Sequence, residues 1–389
     1  MTQGFQDNPE SATATATQPQ TQLLVAAVPS PVRAAWVASA NTLEGLGRVL
    51  NPLAVGLVDE LVKLYAVVPE SASLGELPSP PVEVLGYRKG GLLGISSSQV
   101  EDLAEQLRRQ KVQLLHALEP VAWPLCRQLA KLVDCPCVVS VWALGDTERL
   151  GRLPAPTRVV ATSEPIRRQL QDQGVAPAER VELIRPGIFQ ARQPSCFVDP
   201  TCSSSIVVNG PLEPAGPFET VLRSLAQLQS RQFECVYFVI GEGKAQKRLR
   251  ALAERLSLRH ELTFVDRQPA RHLGGILKAA DIYVMPAPQR HLPLDALAAQ
   301  AAGVPVLFNA ADAGDFLIHG RTAMRFDPTN VGELTELLAR LVGEPDTARA
   351  LAQRALDHLK AFHGVGRSVA AMANLYRNVI GGKSVPTRP

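Results

Sequence analysis

Aromatic residues are scarce in this chain, only 5% of it, and neither sign of charge dominates: 40 Lys and Arg face 37 Asp and Glu, a formal net charge of +3. A single-strand binder needs stacking rings and a duplex binder needs a basic field, so a dedicated nucleic-acid function is disfavoured. No apolar run approaches the roughly 18–20 residues that a membrane span requires. The six cysteines, Cys126, Cys135, Cys137, Cys196, Cys202 and Cys235, include no CxxC pair. That argues for buried reduced thiols and against a metal site. Walker, HExxH and GxSxG motifs are missing, which removes the sequence signs of P-loop, zincin and serine-hydrolase chemistry. Glycine, at 28, is outnumbered by proline, at 31, a balance that favours fixed φ angles and fewer backbone N–H groups.

Nearly half the chain is apolar, 46%, enough to offset chain entropy in a folded core. At about 150 residues per domain, 389 residues suggest two or three domains. The opening MTQGFQDNPESATATATQPQTQ has neither the basic start nor the apolar centre of a secretory signal. Its Ala/Thr/Gln repeat reads as a disordered tail over 1–21. The cytoplasm is then the default compartment.

From residue 22 onward, short β-branched runs alternate with longer helical patterns. LLVAAV (23–28), LYAVV (64–68), VEVLG (82–86), VQLLH (112–116), CVVSVW (137–142), RVVA (158–161) and ELIR (182–185) read as strands. They are continuously apolar, as strands covered on both faces are. VEDLAEQLRRQ (100–110) and WPLCRQLAKLV (123–133) carry apolar residues at three- and four-residue spacing and read as helices. Ser163, followed by Glu164 and Pro165, has the order of a capped helix start. After a Pro- and Ser-rich break at 189–205, a second series begins: SIVVNG (205–210), CVYFVIG (235–241), LTFV (262–265), DIYVMPA (281–287), PVLF (305–308) and AMRF (323–326), then helices near 344–360 and 366–379. Repeated strand–helix–strand units predict two doubly wound parallel sheets, with ligands bound where the carboxyl ends of the strands face a cleft.

RVVATSEPIRRQLQDQGVAPAERVELIRPGIF (158–189), NGPLEPAGPFETVLRSLAQL (209–228), VIGEGKAQKRLRALAERLSL (239–258), LTFVDRQPARHLGGILKAADIYVMPA (262–287), AAGVPVLFNA (301–310) and GDFLIHGRTAMRFDP (314–328) together resemble retaining glycosyltransferases of family 4. The resemblance spans roughly residues 22 to 380 and is stronger in the second half. It implies the GT-B fold: an acceptor-side Rossmann-like domain over 22–190, a linker over 191–204 and a donor-side Rossmann-like domain over 205–365. A C-terminal helix over 366–380 then packs back on the first domain, and a tail fills 381–389. It also implies a nucleotide-sugar donor and no metal or required cofactor.

Carried residue by residue, the resemblance fails at the donor site. The family places an arginine after the glycine that Gly210 matches; here Pro211 stands there, and the lysine expected between Ala215 and Phe218 is absent. At about 1.5–3 kcal/mol per charge-assisted hydrogen bond, losing both weakens diphosphate binding by about 3–6 kcal/mol, roughly a hundred- to ten-thousand-fold. The family's two glutamates, eight positions apart, fall on Arg290 and Ala298 when aligned on Gly303, Pro305 and Val306. Arginine has no acceptor, and alanine has no polar atom. Pro293 replaces a family glycine, and the glycine-rich turn after strand one aligns with VPSPVRAAWVASAN (28–41), which holds Pro29 and Pro31 and no glycine. His116 matches a family position and is the acceptor-side candidate, although strand-end histidines are more often structural. Gly241, Glu242 and Gly243 could present N–H groups to an anion, or merely serve a tight turn. Lys244, Arg267 and Arg290 could form a different anionic pocket. His291 and Asp295 read as local helix-start groups.

The resulting expectation is a glycosyltransferase-like protein with an eroded donor site that acts by binding, partnered by an active glycosyltransferase or by a second copy of itself, with peripheral membrane contact left open. The alternative is an active retaining transferase with a rearranged site. Epimerisation or phosphorolysis ranks third, because each also needs phosphate-gripping cations.

Overall fold

The computed structural model describes residues 31–70, 72, 82–88, 95–151, 156–199, 202–268, 270–288, 291–309 and 314–381. The expected tails, the strand at 23–28, Pro29 and Arg290 lie outside them. The first sheet contains β1 (Val32–Val37), β2 (Val62–Pro69), β3 (Val82–Tyr87), β4 (Leu114–Ala117), β5 (Cys137–Val141), β6 (Arg158–Ala161) and β7 (Val181–Leu183), in the order β3-β2-β1-β4-β5-β6-β7. Every neighbouring pair is parallel. The strands are mostly apolar because both faces are covered, and Arg33, Lys63, Glu83, Arg158 and Glu182 are the charged exceptions in this sheet. Ala34, Trp36 and Ala38 face a core with α1 (Ala40–Asp59), while Ala35 and Val37 face one with α2 (Ser97–Arg109) and α3 (Trp123–Val133). Between β5 and β7 lie α4 (Leu144–Gly151) and α5 (Glu164–Asp172).

The second sheet contains β8 (Ser204–Asn209), β9 (Cys235–Ile240), β10 (Leu262–Val265), β11 (Ile282–Met285), β12 (Val306–Phe308) and β13 (Met324–Arg325), in the order β10-β9-β8-β11-β12-β13. Its pairs are parallel throughout. α6 (Ala215–Ser230), α7 (Gln246–Arg255) and α10 (Val331–Gly343) cover one face; α8 (Ala270–Lys278) and α9 (Leu294–Ala302) cover the other. In α7 the apolar stripe is short: Leu249, Leu252 and Ala253 are buried, and each leucine contributes about 1.5–3 kcal/mol. α11 (Pro345–Phe362) precedes α12 (Val365–Ile380), which returns to the first sheet and adds Met372, Tyr376 and Val379 to the core shared by β1 and α1. No helix among the described residues is long and apolar enough to cross a membrane.

Two sequence expectations need correction. The segment 28–41 is not the turn after the first described strand, because residues 32–37 of it are β1. Pro31 therefore precedes that strand, at the end of the sheet remote from the carboxyl ends, and stiffens no ligand-facing loop. The run of Val, Ala and Trp that follows Pro31 reads as a loop only when the strand is assigned to the apolar residues before it. The proline excess also has a plainer use: Pro124, Pro165 and Pro345 open α3, α5 and α11, where a missing N–H costs nothing.

The second correction concerns Ser163. It occupies the N-cap of α5, but its hydroxyl makes no capping bond. Asp315, from the second half of the chain, accepts from the Glu164 N–H at 3.1 Å instead. A neighbour distant in sequence has taken the local cap's role.

Candidate functional site

The carboxyl ends of the two sheets face each other, and residues from both halves bridge them. Beyond β5, the Trp142 carbonyl accepts from the Leu292 N–H at 2.8 Å, and Ala143 pairs antiparallel with His291. Trp142 is anchored by its own Nε1–H, which donates to the Leu118 carbonyl at 2.7 Å. On α1, Arg48 Nη1 lies 3.8 Å from Asp295 Oδ1 in the first turn of α9. At the other side Asp315 Oδ2 accepts from Arg185 Nε at 2.9 Å and lies 2.7 Å from Nη2. Sequence reasoning missed Arg48, Trp142, Arg185 and Asp315, since nothing local marks a residue whose partner lies more than a hundred positions away.

The loop after β8 and the loop after β9 close on each other. Gly210 N–H donates to the Ile240 carbonyl at 3.2 Å, Leu212 N–H to the Glu242 carbonyl at 3.0 Å, and Gly241 N–H to the Val265 carbonyl at 3.1 Å. Gly241 has φ +150°, and a Cβ there would sit 2.0 Å from the Gly210 oxygen; one at Gly243 would lie 2.7 Å from the Leu212 oxygen. The Gly-x-Gly segment is accounted for by this close approach. Three amides that could have met an anion already have partners, and exposed Pro211 has none to offer.

The other sequence candidates disperse. Glu242 and Arg267 are exposed. The Lys244 ammonium, 90% exposed, lies 3.7 Å from Glu213. With Arg290 outside the described residues, Lys244 and Arg267 make no built pocket. His291 is exposed and engaged through its backbone. Ala298 is buried in the apolar cluster with Leu297, Ala299 and Ala301. Asp295 is more than a helix-start group: its Oδ2 accepts from Asn209 Nδ2 at 3.1 Å, and Asn209 also reaches the Tyr283 hydroxyl at 3.3 Å. Across the cleft, burial raises the Asp146 carboxyl above its usual range, and the Glu119 carboxylate adds to this against the pull of Arg149.

His116 is a buried residue of β4. It is 1% exposed, with Nδ1 at 2.7 Å from the Tyr376 hydroxyl and Nε2 at 2.9 Å from Ser140 Oγ. Trp36 Nε1–H donates to the same Tyr376 oxygen at 2.9 Å. The ring borders a cavity of about 20 Å³, lined also by Leu50, Trp142 and Met372, space for about one water. This histidine ties α12 to the first sheet.

Burial lowers His116 to about 3 and His363 to about 4, the latter despite donating from Nδ1 to the Pro186 carbonyl. Both values lie below the 6.5 of a free imidazole, so the folded protein holds neutral rings while the unfolded chain takes up protons first. Stability is fully present above pH 6.5 and falls as the pH drops toward 4, by up to about 1.4 kcal/mol per pH unit for each ring. Urea unfolding between pH 7 and 5 is expected to show this slope, and His116→Gln to remove about half of it. An unchanged slope in that variant would refute the burial account.

Comparison with known proteins agrees with the architecture. The family model "Glycosyl transferases group 1" matches residues 204–358. A D-inositol 3-phosphate glycosyltransferase from Corynebacterium glutamicum is 27% identical over 222 residues, 54% of this chain and 52% of that protein. The chain spans about half the length of the curated relatives it matches. A glycosyltransferase structure from Rickettsia africae superposes with a TM-score of 0.72 at 12% identity, covering 91% of this chain and 100% of that one. Anabaena HepE in complex with UDP and glucose gives 0.68 at 15% identity, covering 88% and 99%. At such identities structural likeness shows fold alone: two parallel-sheet Rossmann-like domains in the GT-B arrangement. In fold, and in the sequence of its second sheet, the chain is glycosyltransferase-like.

Proposed function

We propose that this protein keeps the frame of a family-4 GT-B glycosyltransferase but has lost the usual grip on a nucleotide-sugar diphosphate, and that it acts by binding in the cytoplasm, with an active glycosyltransferase or a second copy as partner. The observation that carries the reading is the chemistry at the two donor positions. Ala298 lies in an apolar cluster on the helix that would present a ribose-binding glutamate. In the loop after β8, the amides of Gly210 and Leu212 bond to backbone carbonyls, and Pro211 stands in place of the arginine. A diphosphate arriving there would lose its water without the arginine cation, or the amides of Gly210 and Leu212, in exchange. Calorimetry with UDP-, GDP- and ADP-sugars is expected to detect no binding tighter than about millimolar, or about −4 kcal/mol. Micromolar binding of any of them overturns the reading.

A second reading keeps retaining transfer with a rearranged site. It is favoured by one observation, the polar group of Arg48, Asn209 and Asp295 that survives in the cleft. It requires a nucleotide-sugar donor of the kind HepE holds, and it predicts that Arg290→Ala abolishes nucleotide binding or transfer.

A further inference from the structure

We propose that α3 carries an anion site away from the cleft, and that it takes a phosphate monoester bearing hydroxyl groups. An open cavity of about 440 Å³ lies along this helix, with Trp123, Arg127, Lys131, Asp134, Pro136 and Cys137 in its lining. That volume falls within the roughly 300–1,000 Å³ of small-molecule sites. Pro136 and Cys137 stand at the amino end of β5, opposite the carboxyl ends that meet the cleft. The site is therefore independent of the donor-loss reading.

The spacing on α3 gathers the donors. Trp123, Arg127 and Lys131 recur every four residues and share one stripe of the helix. Long helical side chains lean toward the amino terminus, which draws Arg127 toward Trp123 and Lys131 toward Arg127. Arg127 is half-buried and Lys131 exposed, and neither has a hydrogen bond or ion pair among the described residues. On the neighbouring α2, by contrast, Arg108 and Arg109 both pair with Glu105. Trp123 is 1% exposed, and its indole Nε1–H is buried without an acceptor. A buried donor left unmade costs about 1–3 kcal/mol. The wall thus combines an unsatisfied N–H with two unpaired cations, a set that an anion with several acceptor oxygens completes.

The charge balance selects the ligand. Burial pushes the Cys137 thiol up, against bonds from Thr157 and the Arg127 charge, so at neutral pH it adds no negative charge. Two cations in succession suit a phosphate monoester, which carries about −1.5 to −2 at pH 7, better than a single carboxylate. Asp134, exposed at the end of α3, repels a second phosphate and accepts from hydroxyls instead. The body of the ligand is accordingly uncharged and hydroxylated.

The test is titration calorimetry of the full chain with glucose 6-phosphate, glucuronate and glucose. Glucose 6-phosphate is expected to bind with a Kd below about 1 mM, or about −4 kcal/mol, glucuronate at least about tenfold more weakly, and glucose not measurably. Arg127→Met and Lys131→Met are each expected to weaken glucose 6-phosphate by at least about tenfold, equivalent to about 1.4 kcal/mol. If Arg127→Met does not fold, Lys131→Met, at an exposed position, carries the same comparison. Tryptophan emission locates the anion: its change on adding glucose 6-phosphate should persist in Trp142→Phe and vanish in Trp123→Phe. Absence of glucose 6-phosphate binding, equal binding of glucuronate, affinity unaltered in the cation variants, or an emission change that follows Trp142 overturns the proposal. Micromolar binding of a nucleotide sugar to the wild type would instead overturn the donor-loss reading and leave this comparison standing.

Discussion

Gly241→Ala is expected to destabilise the second sheet by about 2–6 kcal/mol, the sum of a strained left-handed backbone and an overpacked contact. The cause is geometric. At φ +150° a side chain is disfavoured whatever the space, and here the added Cβ would meet the Gly210 oxygen at 2.0 Å. The obstacle is backbone on both sides, since Gly210 is itself tied to the Ile240 carbonyl. Relief would require parting the loops after β8 and β9. Hydrogen exchange should show lost protection at residues 204–212 and 235–241, with β1 to β7 unaffected. A variant with wild-type protection there would mean that the loops part easily and that the Gly-x-Gly segment is free for another purpose.

Tyr376→Phe is expected to cost about 2–6 kcal/mol, because two buried groups lose a partner at about 1–3 kcal/mol each. The ring remains, so packing is conserved and the loss reports the hydroxyl alone. Trp36 Nε1–H would have no acceptor, and His116 Nδ1 would lose its bond across 260 positions of sequence. Chemical denaturation of the variant measures the cost directly, and a change below about 0.5 kcal/mol, the usual range of surface substitutions, would show that water replaces the hydroxyl. The small cavity beside His116 is the place where such a water would enter.

Much of the fold was legible because its cause is local. RVVA and LTFV coincide with β6 and β10, and the apolar runs at 137–142 and 235–241 lead into β5 and β9. A strand covered on both faces is apolar at most positions, so parallel order follows from composition. Residues 32–37 form β1 although Arg33 interrupts their apolar run, and local pattern alone does not say which segment pairs with β2. The site was less legible. Pro211 and Ala298 could be read as missing groups from their positions, since an absent guanidinium or carboxylate is visible in the letters. What replaced them was not.

Asp295 looked like an ordinary acid in a first helical turn until Asn209 and Arg48 were found against it. Asp315 gave no sign of capping α5, and His116 gave none of its bonds to Tyr376 and Ser140. Periodicity and residue chemistry act over one or two turns, and they suffice for two parallel α/β sheets and for an expectation about which donors and acceptors are missing. The partners of a buried charge or a strand-end histidine are set by how α1, α9 and α12 pack, through contacts made only when distant segments meet. Whether a polar residue serves the core or the cleft is therefore settled by burial and partner, properties that arise on folding.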